Sequence, residues 1–121
     1  MTATSLSPTD DLVSITVAGT SSTAALTVAG EVDSSSAPVL RTAVDQALAR
    51  GVRELVVDLD AVTFLDSAGL CVLAAAHRSA SLQGVRLRVL ASGSAVIRPL
   101  QITGLWELLA VELVQPGAGA A

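Results

Sequence analysis

Short apolar runs alternate with amphipathic helical stretches along this chain, and that alternation restricts the fold more than any other feature. Val13, Ile15 and Val17 alternate with Ser14 and Thr16, the period of a strand. Residues 18–22 are turn formers and residues 23–29 read as a second strand, so the pair predicts an antiparallel hairpin. Leu40, Ala43, Val44, Ala47 and Leu48 then share one helical face. Ser34, Ser35 and Ser36 stand before them as candidate caps, Pro38 suits a first turn, and Gly51 is the stop. Leu55, Val56, Val57 and Leu59 make a short continuous apolar run, as expected of a strand buried on both faces.

A loop carrying Asp60, Asp66 and Ser67 leads into a second helix, with Leu70, Leu73, Ala74 and His77 as its expected core face and Gly84 as its end. Val85, Leu87 and Val89 alternate with Arg86 and Arg88 as another strand. Ser94 is placed to cap a short helix through Ile102 that stops at Gly104. Pro99 inside it predicts a kink or a delayed start. Residues 108–114 are a last strand candidate.

Strand–helix–strand units favour parallel neighbours, and the opening hairpin adds an antiparallel strand. The expected fold is therefore α/β: a mixed, mostly parallel β-sheet with an N-terminal antiparallel hairpin and about three helices packed on it. A length of 121 residues suits one domain over residues 1–121, with its core at about 12–114 and loose tails at 1–10 and 115–121. One Phe, one Trp and no Tyr mean that the core is built from Val, Leu, Ile and Ala. Loops after parallel strands gather at one edge of the sheet, which would bring residues 30–33 near residues 60–67.

Composition removes several classes of function. The net charge is -4, and the basic residues are all Arg and scattered along the chain. With no basic run to follow a phosphate backbone and almost no aromatics to stack on bases, nucleic-acid binding is not expected. The longest apolar run, residues 70–76, falls far short of the ~20 residues of a membrane helix. The first eleven residues have neither the charged nor the apolar region of a signal peptide. Cys71 is the only cysteine, so neither an internal disulfide nor a Cys-based zinc site is available, and a reducing cytoplasm fits.

Few residues can carry chemistry. Ser67 reads either as a cap or first-turn residue of the second helix, or as a phosphoacceptor. In the second case a phosphate could rest on free N–H groups at the helix start and act as a surface charge switch without unfolding the domain. A nucleophilic Ser67 would need a base. The single histidine, His77, lies ten residues along the same helix, about 15 Å away at 1.5 Å per residue. His77 itself reads as a partly buried core or rim residue. Glu31, Asp33, Asp60 and Asp66 read as solvated loop and capping acids, with a general acid/base pair or cation site as the sharper alternative. Cys71 reads as a small apolar filler, or as a thiol activated by the helix terminus. Trp106 reads as a lid on the core. No metal, nucleotide or organic cofactor is expected.

The segment Leu55-Val56-Val57-Asp58-Leu59-Asp60-Ala61-Val62-Thr63-Phe64-Leu65-Asp66-Ser67-Ala68-Gly69-Leu70 resembles the signature of STAS domains, where a buried strand runs through a loop into an Asp-Ser-Ser-Gly-Leu-Gly helix start. Gly30-Glu31-Val32-Asp33 is similar to that family's Gly-Glu-Leu-Asp, and Ile102-Thr103-Gly104-Leu105 to its late Gly-Leu stop. The resemblance covers roughly residues 12–114. It implies an anti-sigma factor antagonist, a binding protein rather than an enzyme. Its implied partners are an anti-sigma factor with serine kinase activity, which releases a sigma factor when engaged, and a serine phosphatase that resets the cycle. Carried over residue by residue, the implied acceptor is Ser67. The implied partner-binding residues are Glu31, Asp33, Asp66, Ser67, Ala68, Gly69, Leu70 and Cys71.

The chain departs from the family pattern in three ways. Ala68 replaces the second serine, Cys71 replaces the glycine after Leu70, and the usual C-terminal helix is expected to be missing or reduced. The alternative that the resemblance leaves open is a STAS adaptor subunit of a membrane transport complex or a signalling scaffold, which needs no acceptor serine.

Overall fold

The computed structural model describes residues 13–115. The expected tails fall outside these residues, apart from Gln115. A five-stranded sheet runs β1 (Val13–Gly19), β2 (Thr23–Val32), β3 (Glu54–Leu65), β4 (Arg86–Ala91) and β5 (Glu112–Leu113), in that spatial order. The β1–β2 pair is antiparallel and the other three pairs are parallel. Parallel neighbours need crossovers, and helices supply them: α1 (Ala37–Ala49), α2 (Ser67–Gln83), and α3 (Ser94–Thr103) with a short α4 (Leu105–Leu108).

The core is aliphatic, as the composition requires. Leu26, Leu40, Leu55, Leu59, Leu73 and Leu100 are fully buried, Trp106 packs at the margin, and Phe64 remains 46% exposed. Leu55, Val57 and Leu59 are fully buried, but Val56 and Asp58 between them are only half-buried. The strand expected to be covered on both faces is thus packed hard on one face and loosely on the other. On α2 the buried residues are Gly69, Leu70, Val72, Leu73, Ala76 and Ala80, whereas Ala74 and His77 are half-buried. The face is rotated from the expected one because α1 packs alongside, with Val44 and Val72 lining the seam.

Three element boundaries differ from the sequence expectation. Residues 30–32 belong to β2 and residues 60–65 to β3, because the two strands pair with each other as far as Val32 and Leu65. Backbone pairing satisfies N–H and C=O groups there that a loop would leave to water. At the other end of the chain, residues 105–108 are helical. Leu109 N–H bonds the Leu105 carbonyl at 2.9 Å, Leu109 is buried, and only Glu112 and Leu113 remain as strand. Leu105, Trp106 and Leu109 share a helical face, a pattern hidden within a run that also reads as a strand. Arg88 holds the short β5 to β4 through two parallel bonds to Glu112, at 2.9 and 2.8 Å.

The helix starts also differ. Ser36 stands at the N-cap position of α1 without capping it: its side chain is buried and donates to the Glu31 carbonyl at 2.8 Å. Gly93, not Ser94, precedes α3, which runs through Pro99 without a delayed start and stops at the left-handed Gly104.

Candidate functional site

The parallel strands β2 and β3 end level with one another and project past β4, whose pairing with β3 stops at Asp58 and Leu90. Asp66 N–H bonds the Val32 carbonyl at 3.1 Å, so the two chains leave the sheet side by side. Asp33 and Ser67 therefore stand on one edge, as the sequence led us to expect.

Asp33 organises the turn into α1. Its Oδ1 accepts from Ser35 Oγ at 2.7 Å, from Ser35 N–H at 2.9 Å and from Ser36 N–H at 3.1 Å. The Ser35 hydroxyl first, then the Ser36 N–H, hold the Asp33 carboxyl below the usual carboxylate range. Asp66 organises the entry to α2. It is the N-cap, and its Oδ1 accepts from Ala68 N–H at 2.9 Å and from Gly69 N–H at 3.3 Å. Ser67 is the first helical residue and is exposed. Of the cap or first-turn reading, Ser67 takes the first-turn place, and its neighbour Asp66 does the capping.

Gly69 is buried where α2 meets the strand ends. A Cβ added there would lie 2.5 Å from Leu65 Cδ1 and 2.8 Å from Val32 Cγ1. This position thus needs a residue without a side chain so that the helix start can sit directly on β2 and β3. Leu70 turns inward and Cys71 outward. The filler reading of Cys71 fails, since the thiol is exposed.

Ser67, Leu70, Cys71 and Ala74 of α2 form one wall of an open, mostly apolar groove, and Thr103 and Leu105 form the other. Ile102 and Leu108, on the elements of that second wall, are 80% and 52% exposed. Thr103 and Leu105 stand out in the sequence only as flanks of a helix stop, and their place beside Ser67 depends on how α3 packs. Glu31 is exposed on β2, paired across the sheet with Phe64. Glu31, Asp33 and Asp66 thus share the projecting end. Asp60 does not join them. It lies five residues before Leu65, roughly 15 Å along the strand, and accepts a short hydrogen bond from Ser92 Oγ beyond β4.

His77 sits on α2 ten residues past Ser67, too far along the axis to serve it as a base. Among the described residues no three of His, Cys, Asp and Glu come together as a metal-binding group, and no helix is long and apolar enough to cross a membrane.

Known proteins are similar to this chain in sequence and in fold. The anti-sigma-F factor antagonist RsfB of Mycobacterium tuberculosis is 39% identical over 95 residues, covering 78% of this chain and 77% of that protein. The anti-sigma-B factor antagonist of Bacillus subtilis is 32% identical over 90 residues, covering 74% and 82%. The crystal structure of an anti-sigma factor antagonist from Mycobacterium paratuberculosis superimposes with a TM-score of 0.78 at 34% identity, over 88% of this chain and 90% of that one. Residues 14–116 match the model of the STAS domain. With that match spanning the whole sheet and its helices, the chain belongs to the STAS domain family.

Proposed function

We propose that this chain is an anti-sigma factor antagonist whose binding is switched off by phosphorylation of Ser67. Its partner is an anti-sigma factor with serine kinase activity, engaged in the cytoplasm so that a sigma factor is released. A serine phosphatase restores the binding form. The observation that carries the reading is the state of Ser67. It is exposed at the first position of α2, relieved of capping by Asp66, and set at the mouth of the groove formed with Thr103 and Leu105. A kinase can reach such a hydroxyl, and a partner covering the groove must cover it too.

The other residues divide the work. Asp66 and Gly69 hold the helix start in place. Leu70, with Ala68 beside it, backs the groove. Cys71 presents its thiol to the partner, and Glu31 and Asp33 set an acidic rim. The activity is binding, and no step requires a metal or cofactor.

The switch is electrostatic. Phosphate adds about -1.5 to -2 charges at neutral pH. Bringing a dianion into a contact surface that already carries Glu31, Asp33 and Asp66 costs several kcal/mol unless a partner cation meets it. A hundredfold loss of affinity needs only two steps of about 1.4 kcal/mol.

The test is incubation with the cognate kinase and ATP, mapping of the modified residue, and titration calorimetry of each form. Modification at Ser67 is expected, with at least roughly hundredfold weaker binding of the phosphorylated protein. Ser67→Ala should bind regardless of ATP, and Ser67→Asp should bind weakly while melting normally. If the phosphorylated protein binds as tightly as the unmodified one, the switch fails and the adaptor reading takes its place.

A further inference from the structure

The first amides of α2 are already engaged. Asp66 Oδ1 accepts from Ala68 and Gly69, and the Asp66 carbonyl accepts from Leu70 N–H at 3.0 Å. Asp66 N–H is itself bonded to Val32. Of the donors that a helix start leaves open, this leaves only the N–H of Ser67 itself. A helix start ordinarily attracts a phosphate through such free donors and the helix dipole. Here the site is filled by a carboxylate on the residue next to the acceptor.

We infer that Asp66 bars a phosphate on Ser67 from the Ala68 and Gly69 amides of α2, so that it stays turned outward over the groove with no more of the helix start to meet its charge than its own N–H. In its biological use the inference rests on the phosphorylation proposed above. To reach the Ala68 and Gly69 amides, the phosphate would have to displace Asp66, and two anions would compete for one pair of donors. The surroundings offer little relief. Glu31 and Asp33 lie at the strand ends, and the short α4 that follows the groove wall carries an acid, Glu107. Arg98, about one and a half turns before Thr103, is the cation carried by the helix that walls the groove. Asp66 is therefore a positioning residue: by capping α2 it keeps the added charge where a partner would meet it. This replaces the sequence-based expectation that the helix start would hold the phosphate.

The experiment uses the full chain with phosphoserine placed at position 67 by genetic-code expansion, so that no kinase is needed. The second ionisation of the phosphate is followed by phosphorus NMR, and the Ala68 and Gly69 amides by nitrogen–proton spectra over the same pH range. A phosphorylated peptide of residues 63–71 is the reference, ionising near pH ~6. In the protein the phosphate should ionise at or above the peptide's pH, with both amides still throughout. In Asp66→Ala its pKa should fall by roughly half a unit or more, and the amides should move with the phosphate.

A wild-type phosphate that ionises below the peptide, through those amides or through Arg98, overturns the inference, as do Ala68 and Gly69 amides that titrate with it. The wild-type titrations decide by themselves if Asp66→Ala does not fold. Because no partner is present, the outcome is independent of whether the binding switch proposed above holds.

Discussion

Ser67 and Asp66 are adjacent and do opposite things. Asp66 turns its carboxylate back onto the amides of α2, which stabilises the helix, while Ser67 stands outside that network. The division has a thermodynamic consequence. Ser67→Ala removes no structural bond and should leave stability within about 0.5 kcal/mol of wild type. Asp66→Ala removes a cap and should cost about 1 kcal/mol, within a range of ~0.5–2. Urea unfolding of the two variants side by side measures the contrast. Equal losses would mean that Ser67 shares in capping. The same separation makes Ser67 suitable for modification, since its chemistry can change without altering the fold.

At the scale of elements, the site depends on how closely α2 approaches the ends of β2 and β3. Gly69 allows that approach, and its missing side chain is matched by Val32 and Leu65. In an unconstrained helix, Gly→Ala would gain up to about 1 kcal/mol. Here the new methyl group meets the stiff, fully buried Val32, and overpacking of this kind costs about 1–3 kcal/mol. Gly69→Ala should therefore be destabilised by about 1 kcal/mol or more in urea unfolding, against the helix propensity scale. A stabilised variant would show that the helix start is not pressed onto the strands. At the same edge, Ser36 links the end of β2 to the start of α1 by donating to the Glu31 carbonyl and accepting from Asp33 N–H at 2.9 Å. The acidic rim is thereby held by the backbone of two elements at once.

At the scale of the molecule, acid response follows, among the described residues, from two carboxylates. Asp33 is held low by the Ser35 hydroxyl and the Ser36 N–H, and Glu112 by its hydrogen bonds to Arg88. Each folded-state pKa lies below its unfolded value. The unfolded chain then binds more protons in acid, so these groups contribute fully above about pH 4–5 and lose that contribution as pH falls through the folded values. Thermal melts should be level from neutral pH to about 5 and then decline below about 4. Asp33→Asn should decline less steeply over that lower range. Parallel acid limbs for wild type and variant would remove Asp33 from the account. The Arg88–Glu112 pair is partly exposed, so its main effect is to locate β5 rather than to add much stability.

Local pattern was enough to read the order of the strands and of the three longer helices, the antiparallel hairpin, the stops at Gly84 and Gly104, and the position of Ser67 at the start of a helix near Asp33. Periodicity and turn chemistry belong to contiguous residues, and chain order limits which strands can lie parallel. Features that depend on distant residues were not legible. Residues 30–32 and 60–65 are strand because they pair with each other. Asp60 leaves the acidic edge because Ser92 lies beyond β4, and Cys71 is exposed because α2 turns Val72 and Ala76 toward α1. Asp66 was legible as a capping acid, but the bond from its N–H to the Val32 carbonyl, which sets its backbone against the sheet, was not. Sequence alone thus placed Ser67, the proposed acceptor, at a helix start, but only the packing of α2 on the strand ends left it exposed there, outside the bonds that hold that start.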